Sequence, residues 1–208
     1  MQLLRGPGLL TVSFVLLLSL LLGGWADDWA SIRKAAGNVR SLRADFVQTK
    51  RLRILKRPIV SRGSFFYRRP AQMRWEYSSP VKSVVIMDAD GVQRYAWRGN
   101  KYVRDATAKL RPVQAVLGEM SLWLRGDFAQ SKVFSPSLRS GSPPRVRLVP
   151  RDPAFRKLIS QIELLLSRVP GVVDAIEIVE GPDASTRIEF VNLQLNQPLA
   201  DRVFKTAQ

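Results

Sequence analysis

The sequence of 208 residues contains no cysteine and no histidine. Without cysteine, the chain has no disulfide, and no thiol is available to carry a lipid anchor. Without histidine, it lacks the commonest general base and the commonest zinc ligand, which excludes Ser-His and Cys-His catalysis and zinc chemistry. We therefore expect a protein that is not an enzyme, with no catalytic residue, no metal site and no cofactor.

Long apolar runs are also scarce, and the longest one lies at the N-terminus. Arg5 precedes an apolar stretch from Leu9 to Leu22, and small residues then occupy both positions that specify cleavage before Asp27. This order is typical of a secretory signal peptide, and the stretch is shorter than the roughly 20 apolar residues of a membrane-spanning helix. We predict that residues 1–26 are a cleavable signal peptide and that residues 27–208 form one soluble periplasmic domain.

Acidic residues are few relative to basic ones. The chain has 33 Lys and Arg against 17 Asp and Glu, a formal charge of +16. Such a charge attracts anionic partners, but export argues against nucleic acid and favours phospholipid or lipopolysaccharide head groups or an acidic protein. A basic surface without any assigned partner is an equally good interpretation.

The hydrophobic pattern predicts two helices and about eleven strands. Helical residues cover 27–38, and after Pro112 a second helix is predicted over Val113–Leu124. Between and after them, alternating segments bounded by Pro, Gly and Asp-Gly indicate strands. The predicted strands are Leu42–Leu55, Val60–Arg69, Gln72–Ser78, Ser83–Asp88, Val92–Trp97, Lys101–Arg104, Phe128–Ser135, Arg145–Val149, Leu158–Arg168, Val172–Glu180 and Thr186–Leu195.

These elements favour a mainly β fold with helices (α+β). Apolar and charged residues alternate strictly over Met73–Tyr77, Ile162–Leu164 and Ile188–Phe190, so each strand has one apolar and one polar face. A sheet of about eleven strands curls because its strands twist, giving an incomplete, strongly curved antiparallel β-barrel. The second helix has an apolar side formed by Val113, Val116, Leu117, Met120, Trp123 and Leu124. We predict that it covers the concave face as a lid.

Two loops have simple interpretations. The segment Asp88–Gly91 contains two aspartates but no glutamate at the distance that a calcium loop needs, so it is predicted to be a hairpin turn. The segment Ser135–Pro144 is rich in Ser and Pro and is predicted to be a surface loop.

Arg69 departs from a plain apolar core. Counting by twos places it on the same side as Phe65 and Tyr67, with its guanidinium at the mouth of the apolar face. The unpaired carbonyls at the C-terminal end of a helix are suitable acceptors, so Arg69 is a candidate for a lid latch. The alternative is an arginine that simply ends a strand before Pro70.

A series of short motifs resembles the LolA family of periplasmic outer-membrane lipoprotein carriers. The motifs keep one order over nearly the whole chain after residue 26. They are Phe46-Val47-Gln48, Pro58, Gly63, Phe65–Pro70, Met73–Tyr77, Pro80, Asp90-Gly91, Thr186–Phe190, Asn192, Asn196, Pro198-Leu199 and Phe204.

The resemblance implies an incomplete β-barrel with an apolar cavity that shields the acyl chains of lipoproteins. It also implies an inner-membrane ABC transporter complex as cargo donor and an outer-membrane receptor as acceptor. The family's latching arginine falls on Arg69, its cavity tryptophan on Trp75, and an apolar family position on Met73. We expect the protein to be a monomer.

The candidate site combines the resemblance with the alternation pattern. The acyl-chain cavity is assigned to Phe46, Phe65, Tyr67, Met73, Trp75, Leu164 and Phe190, and the lid helix to Leu117, Met120 and Trp123. Cargo entry would first have to displace the lid, which lowers the net affinity. Two alternatives stay open: a carrier of a glycolipid or phospholipid, and a secreted basic protein that binds anionic polymers on its surface.

Overall fold

The structure, a computed structural model, describes residues 29–106 and 110–207, without the side chains of residues 110–113. The predicted signal peptide lies outside the described residues. The elements in chain order are α1 Trp29–Gly37, β1 Ser41–Leu52, β2 Ile59–Arg68, β3 Gln72–Ser79, β4 Ser83–Asp88, β5 Gly91–Arg98, β6 Lys101–Arg104, α2 Leu110–Leu124, a 3-10 helix Phe128–Gln130, β7 Phe134–Arg139, β8 Arg145–Pro150, α3 Pro153–Arg156, β9 Gln161–Leu166, β10 Val173–Val179, β11 Ala184–Leu195 and a 3-10 helix Asp201–Phe204.

All eleven strands form one antiparallel sheet. Its order is β6-β5-β4-β3-β2-β1-β11-β10-β9-β8-β7, so the N-terminal and C-terminal halves meet where β1 pairs with β11. Phe46 of β1 lies opposite Phe190 of β11 in this central pair. Strands β6 and β7 form the two edges of the sheet, which is open. The predicted mainly β fold with one large antiparallel sheet is confirmed.

The sheet is strongly curved, as contacts between distant strands show. Trp75 on β3 and Phe190 on β11 have ring centroids 6.1 Å apart, although β2 and β1 lie between their strands. Neighbouring strands are about 4.8 Å apart, so three spacings in a flat sheet would separate these residues by roughly 14 Å. The concave face therefore brings side chains from non-adjacent strands into contact, with α2 packed over them.

Gly63 on β2 allows the closest packing of side chains on the concave face. It lies directly opposite Phe46, whose ring passes over the glycine to contact two aromatic rings of β3. The centroid of the Phe46 ring is 4.9 Å from that of Trp75 and 5.2 Å from that of Tyr77. A side chain at Gly63 would occupy the space that the Phe46 ring fills.

Some predicted elements are wrong. No strand spans residues 128–135: Phe128 starts a 3-10 helix and packs on Trp29, with ring centroids 5.4 Å apart. Strand β7 instead runs from Phe134 to Arg139, so that all but its first residue lies in the segment 135–144 that was predicted to be a loop. Pro136 argues against a strand in the sequence, but β7 is an edge strand, where proline is tolerated.

Two further predictions concern residues at turns: one is confirmed, and the other placed the start of a strand wrongly. The hairpin at residues 88–91 is confirmed, since β4 and β5 pair on either side of it. The strand predicted from Leu158 begins only at Gln161, because α3 and a turn precede it and leave Leu158 exposed.

The C-terminal tail covers the convex face of β3 and β4, which the alternation had predicted to be polar and wet. Arg74 points to this face but is only 5% exposed. Its Nη1 donates hydrogen bonds to the carbonyl oxygens of Val203 (3.1 Å) and Thr206 (2.6 Å), and its Nε pairs with Glu76 at 2.8 Å. Phe204 is completely buried beneath the Arg68 guanidinium, which lies 4.9 Å from the centre of its ring.

We predict that Gly63→Ala destabilises the fold. The new Cβ would overlap the carbonyl oxygen of Glu76 and lie 2.7 Å from Cζ of Phe46, so the free energy of unfolding should fall by about 3 kcal/mol. Gly118→Ala is the matched control, because nothing lies within 4 Å of that position in α2 and alanine favours a helix by about 1 kcal/mol. Urea unfolding of both variants checks this, and equal midpoints would contradict it.

We also predict that the tail is part of the folded structure. Phe204→Ala removes a fully buried ring and should lower the free energy of unfolding by about 3–5 kcal/mol. Phe66→Ala on the same face, where the ring is only half-buried, should cost clearly less. Thermal unfolding followed by circular dichroism compares them, and a neutral Phe204→Ala would contradict the packing described.

Candidate functional site

A cavity of about 650 Å³ lies between the concave face of the sheet and α2. This volume is within the range of about 300–1,000 Å³ that is typical of small-molecule sites. Seven strands contribute side chains to its wall, together with α2 and the segment 155–159, and most of these side chains are apolar. Its aliphatic wall on the strands consists of Val85, Ile162, Ile176, Ile178 and Ile188.

The wall of the cavity includes a strongly exposed residue, Leu158, at one end of the sheet, which we call the mouth end. It is the end formed by segments 53–58, 80–82, 99–100, 151–160 and 180–183, which the antiparallel order brings together. Leu158 and Glu180 in these segments line the cavity, and Leu158 is 68% exposed. The opposite end of the sheet carries segment 69–71.

Helix α2 covers the cavity with the residues that the sequence assigned to the lid. Leu117, Met120 and Trp123 all line the cavity and are 5–7% exposed. Val116 also lines the cavity but remains 45% exposed, so its expected burial on the apolar side of the helix was wrong. The cavity wall is therefore exposed to solvent along this edge of α2.

The residues predicted to form the acyl-chain cavity separate into three groups. Trp75 lines the large cavity. Phe65, Leu164 and Phe190 line a second cavity of about 30 Å³, which shares Met120 and Trp123 of α2 with the large one. The structure places the remaining three in the packed core, where they are at most 1% exposed: Phe46, Tyr67 and Met73.

The two cavities are neighbours. Met120 and Trp123 of α2 and Ile176 of β10 line both, so these residues form a common partition. An outward movement of α2 would remove its two side chains from that partition and extend the large cavity towards Phe65 and Phe190.

Several wall residues were not assigned from the sequence. Ile176 and Ile178 on β10 and Phe155 in α3 line the cavity. Apolar alternation in Ile176–Ile178 is a signal for an inward face, and it could have identified those two. The local sequence signals only the start of α3, through the Asp152 N-cap, whose carboxylate accepts from the Phe155 amide at 2.9 Å; it does not show that Phe155 faces the cavity.

One side of the mouth end is polar. Lys50 Nζ donates to Glu180 Oε2 at 2.7 Å, and Thr186 Oγ1 donates to Glu180 Oε1 at 2.6 Å. All three residues line the cavity. Although burial of Glu180 opposes its ionisation, the hydrogen bonds from Lys50 and Thr186 hold the pKa of this carboxyl below its usual value. The group is thus an internally paired salt bridge at neutral pH.

A buried polar contact fixes α2 to the start of β7. Glu119 is 7% exposed and accepts a hydrogen bond from Ser131 Oγ at 2.7 Å. The same hydroxyl oxygen accepts from the Phe134 amide at 2.8 Å. Because a buried carboxylate without a partner is costly, this contact restricts α2 to one position while it lies over the cavity.

One buried indole group on the cavity wall has no hydrogen-bond acceptor among the described residues. It is Nε1 of Trp123, which lines the cavity from α2. A buried N–H group without an acceptor is uncommon in a folded protein.

Arg69 binds the C-terminal end of α1. Its Nε donates to the carbonyl of Val39 at 2.8 Å and its Nη2 to that of Ala36 at 2.9 Å. Period-2 counting thus gave the correct side, but the guanidinium lies at the end of the sheet opposite the mouth end and contacts α1 instead of α2. Counting residues along one strand gives no information about which end of a cavity is open.

Helix α1 connects Arg69 to the end of α2. Arg33 of α1 pairs with Asp127 at 3.2 Å, and Trp29 packs on Phe128. Arg125, directly after α2, donates to the carbonyl of Pro70 at 3.3 Å. The segment 125–128 is therefore held both by α1 and by the residue next to Arg69.

Within the described residues, no cluster of three or more Asp and Glu side chains could hold a metal ion. In that same part of the chain, no helix has the length and hydropathy needed to cross a membrane.

Comparisons with known proteins identify relatives of this chain. Outer-membrane lipoprotein carrier proteins of two bacteria are similar: that of Methylococcus capsulatus is 27% identical over 202 residues (92% of this chain, 91% of that protein), and that of Nitrosospira multiformis is 24% identical over 184 residues (86% and 84%). The crystal structure of a LolA superfamily protein from Nitrosomonas europaea superimposes with a TM-score of 0.41 at 10% identity, covering 84% of this chain and 96% of that one.

A family model supplies the assignment. The model described as "Outer membrane lipoprotein carrier protein LolA" matches residues 37–207, which extend from the end of α1 to the end of the C-terminal tail. The chain belongs to the LolA family of outer membrane lipoprotein carrier proteins.

Proposed function

We propose that this protein is a periplasmic carrier that shields the acyl chains of lipoproteins in the large cavity and moves them from the inner to the outer membrane. Residues 1–26 would direct export and be removed, leaving residues 27–208 as a single carrier domain. An inner-membrane ABC transporter complex would supply the cargo and an outer-membrane receptor would take it. The proposal assigns binding and release to the chain, with no catalytic step.

The observation that carries the proposal is the apolar cavity beneath α2. A protein that binds its ligand only on its surface does not need a cavity of about 650 Å³ with an aliphatic wall. Membership of the LolA family indicates the class of cargo. Each methylene group moved from water into this space contributes about 0.8 kcal/mol. Long acyl chains therefore supply ample binding energy.

The position of α2 lets such a carrier release its cargo. Leu117, Met120 and Trp123 occupy the concave face, so cargo has to displace part of this contact before it fills the joined cavities. The net affinity is then a difference between two apolar interactions. Met120 suits both states because an unbranched thioether adapts to different neighbours.

The unpartnered indole group of Trp123 favours an acyl amphiphile over a plain hydrocarbon. An acyl chain of a lipoprotein or phospholipid carries an ester or amide carbonyl. A carbonyl that reached Trp123 would give its Nε1 the acceptor that the protein does not supply.

Arg69 is the candidate latch, acting on α2 through α1. It donates one hydrogen bond to Ala36 in α1 and one to Val39 just after this helix, and bonds from such a charged donor contribute about 1.5–3 kcal/mol each. Because α1 contacts the segment that follows α2, loosening α1 also loosens the support of α2.

We predict that filling the cavity weakens acyl binding. Ile178 is a half-buried wall residue, so Ile178→Trp would extend into the open space with little loss of stability. Titration with a fluorescent fatty acid should show at least about a tenfold loss of affinity. Val191→Trp is the control, because Val191 is 43% exposed and does not line the cavity.

An unchanged affinity of Ile178→Trp would contradict the cavity as the binding site. Binding that is indifferent to this variant and falls steeply with salt would instead support a surface site for anionic polymers.

We predict that Arg69→Leu binds the same probe more tightly. The substitution removes bonds made only while α1 is docked, so the closed state loses stability and cargo has less to displace; an increase of about tenfold is expected. Arg68→Leu is the control, since Arg68 bonds instead to the tail at Leu199 and Asp201.

Arg69→Lys should fall between wild type and Arg69→Leu, because one ammonium cannot reproduce the planar pair of donors. Equal affinities of wild type and Arg69→Leu, or the same change in Arg68→Leu, would contradict the latch.

A further inference from the structure

Exposed apolar side chains concentrate at the mouth end. Among the described residues, ten large hydrophobic side chains are exposed, and seven of them lie in the segments of this end or directly beside them. These seven are Ile54, Leu55, Ile59, Val60, Val81, Trp97 and Leu158. Exposed apolar residues gathered on one surface indicate an interaction site.

The hairpin between β1 and β2 is the most exposed part of this surface. Every residue from 53 to 60 is exposed, and Ile54 reaches 88%. Its position is fixed, because β1 and β2 pair up to Lys50 and Ile59 and the Leu55 amide donates to the carbonyl of Leu52 at 2.9 Å. The hairpin therefore holds two aliphatic side chains, Ile54 and Leu55, in water.

Basic residues accompany these apolar ones. The five segments of the mouth end contain seven Lys or Arg (Arg53, Lys56, Arg57, Lys82, Arg151, Arg156 and Lys157) and three Asp or Glu (Asp152, Glu180 and Asp183). The hairpin has three of these basic residues and no acidic one. Asp183 pairs with Arg53 at 3.1 Å, but both side chains are largely exposed, so the positive potential of the surface remains.

An aromatic group completes the surface. Trp97 is 38% exposed, with Lys82 Nζ located 4.6 Å from the centre of its ring and Tyr102 stacked edge-on at 4.9 Å. Tryptophan and tyrosine are enriched at the boundary between lipid and water. The combination of aliphatic tips, an interfacial aromatic and surrounding cations matches an anionic bilayer, in which negative head groups lie above hydrocarbon.

We propose that the mouth end docks on anionic phospholipid bilayers, with Ile54 and Leu55 inserted between the head groups. Lys50 lies on the cavity wall near the end of β1, and Ile54 lies in the hairpin that follows this strand. Docking through Ile54 therefore places the cavity opening against the lipid. The apolar residues come from four separate segments of the chain and have basic residues around them, which favours a fluid anionic surface over a folded protein partner. Docking requires no cargo, so it is independent of the proposed carrier function.

The absence of cysteine allows a direct test. Ile54→Cys, purified from the periplasmic fraction as the processed protein, carries a single thiol that can be labelled with an environment-sensitive fluorophore. On vesicles of phosphatidylcholine and phosphatidylglycerol its emission should shift to the blue, and vesicles of phosphatidylcholine alone should give no shift. Val169→Cys is the matched control, because Val169 is 50% exposed but lies in the loop after β9, at the opposite end of the sheet.

Sedimentation with the same vesicles measures the energetic contribution. Replacing Ile54 and Leu55 together by serine should weaken binding about tenfold or more, and added salt should weaken wild-type binding further. A silent label at residue 54, equal shifts at residues 54 and 169, or unchanged sedimentation of the double variant would each overturn the proposal. Uptake of the fatty acid is measured without vesicles, so docking and cargo binding can fail separately.

Discussion

The curvature of the sheet is the constraint on which the other features depend. Residues of β3 and β11 meet across two intervening strands, as the ring contact between Trp75 and Phe190 shows. This bend depends locally on Gly63, over which the Phe46 ring lies. Towards the mouth end the same curved wall is lined by smaller aliphatic side chains, and the space that they leave is the cavity. One end of the sheet is thus packed and the other is hollow.

Different helices contact the two ends of the sheet. At the packed end, Arg69 and Arg125 bind carbonyls of α1 and of Pro70, which fixes the helix termini. Over the hollow end, α2 contributes apolar side chains and one buried carboxylate, Glu119, whose partner Ser131 belongs to the loop before β7. Movement of α2 therefore involves both a polar contact and an apolar surface, which makes closure specific in position as well as favourable in energy.

Much of the fold could be predicted from the sequence, because period-2 alternation and the Asp-Gly turn are local signals. Ten of the eleven strands and the side on which Arg69 lies follow from such counting, whereas β7 does not. The hollow itself could not be predicted: Phe46, Tyr67 and Met73 have the same inward pattern as Trp75, but the three pack solidly while Trp75 borders the cavity. The burial of Arg74 could not be predicted either, because it depends on a tail more than a hundred residues further along the chain.

An open sheet carries a risk that a closed barrel avoids, since its two edge strands have backbone groups free to pair with other chains. Here β6 is only four residues long, and Pro136 removes an amide donor from the middle of β7. Both edges are therefore poor templates for strand addition. The sheet can therefore stay open, which would allow the cavity to expand, without promoting intermolecular β-pairing and aggregation.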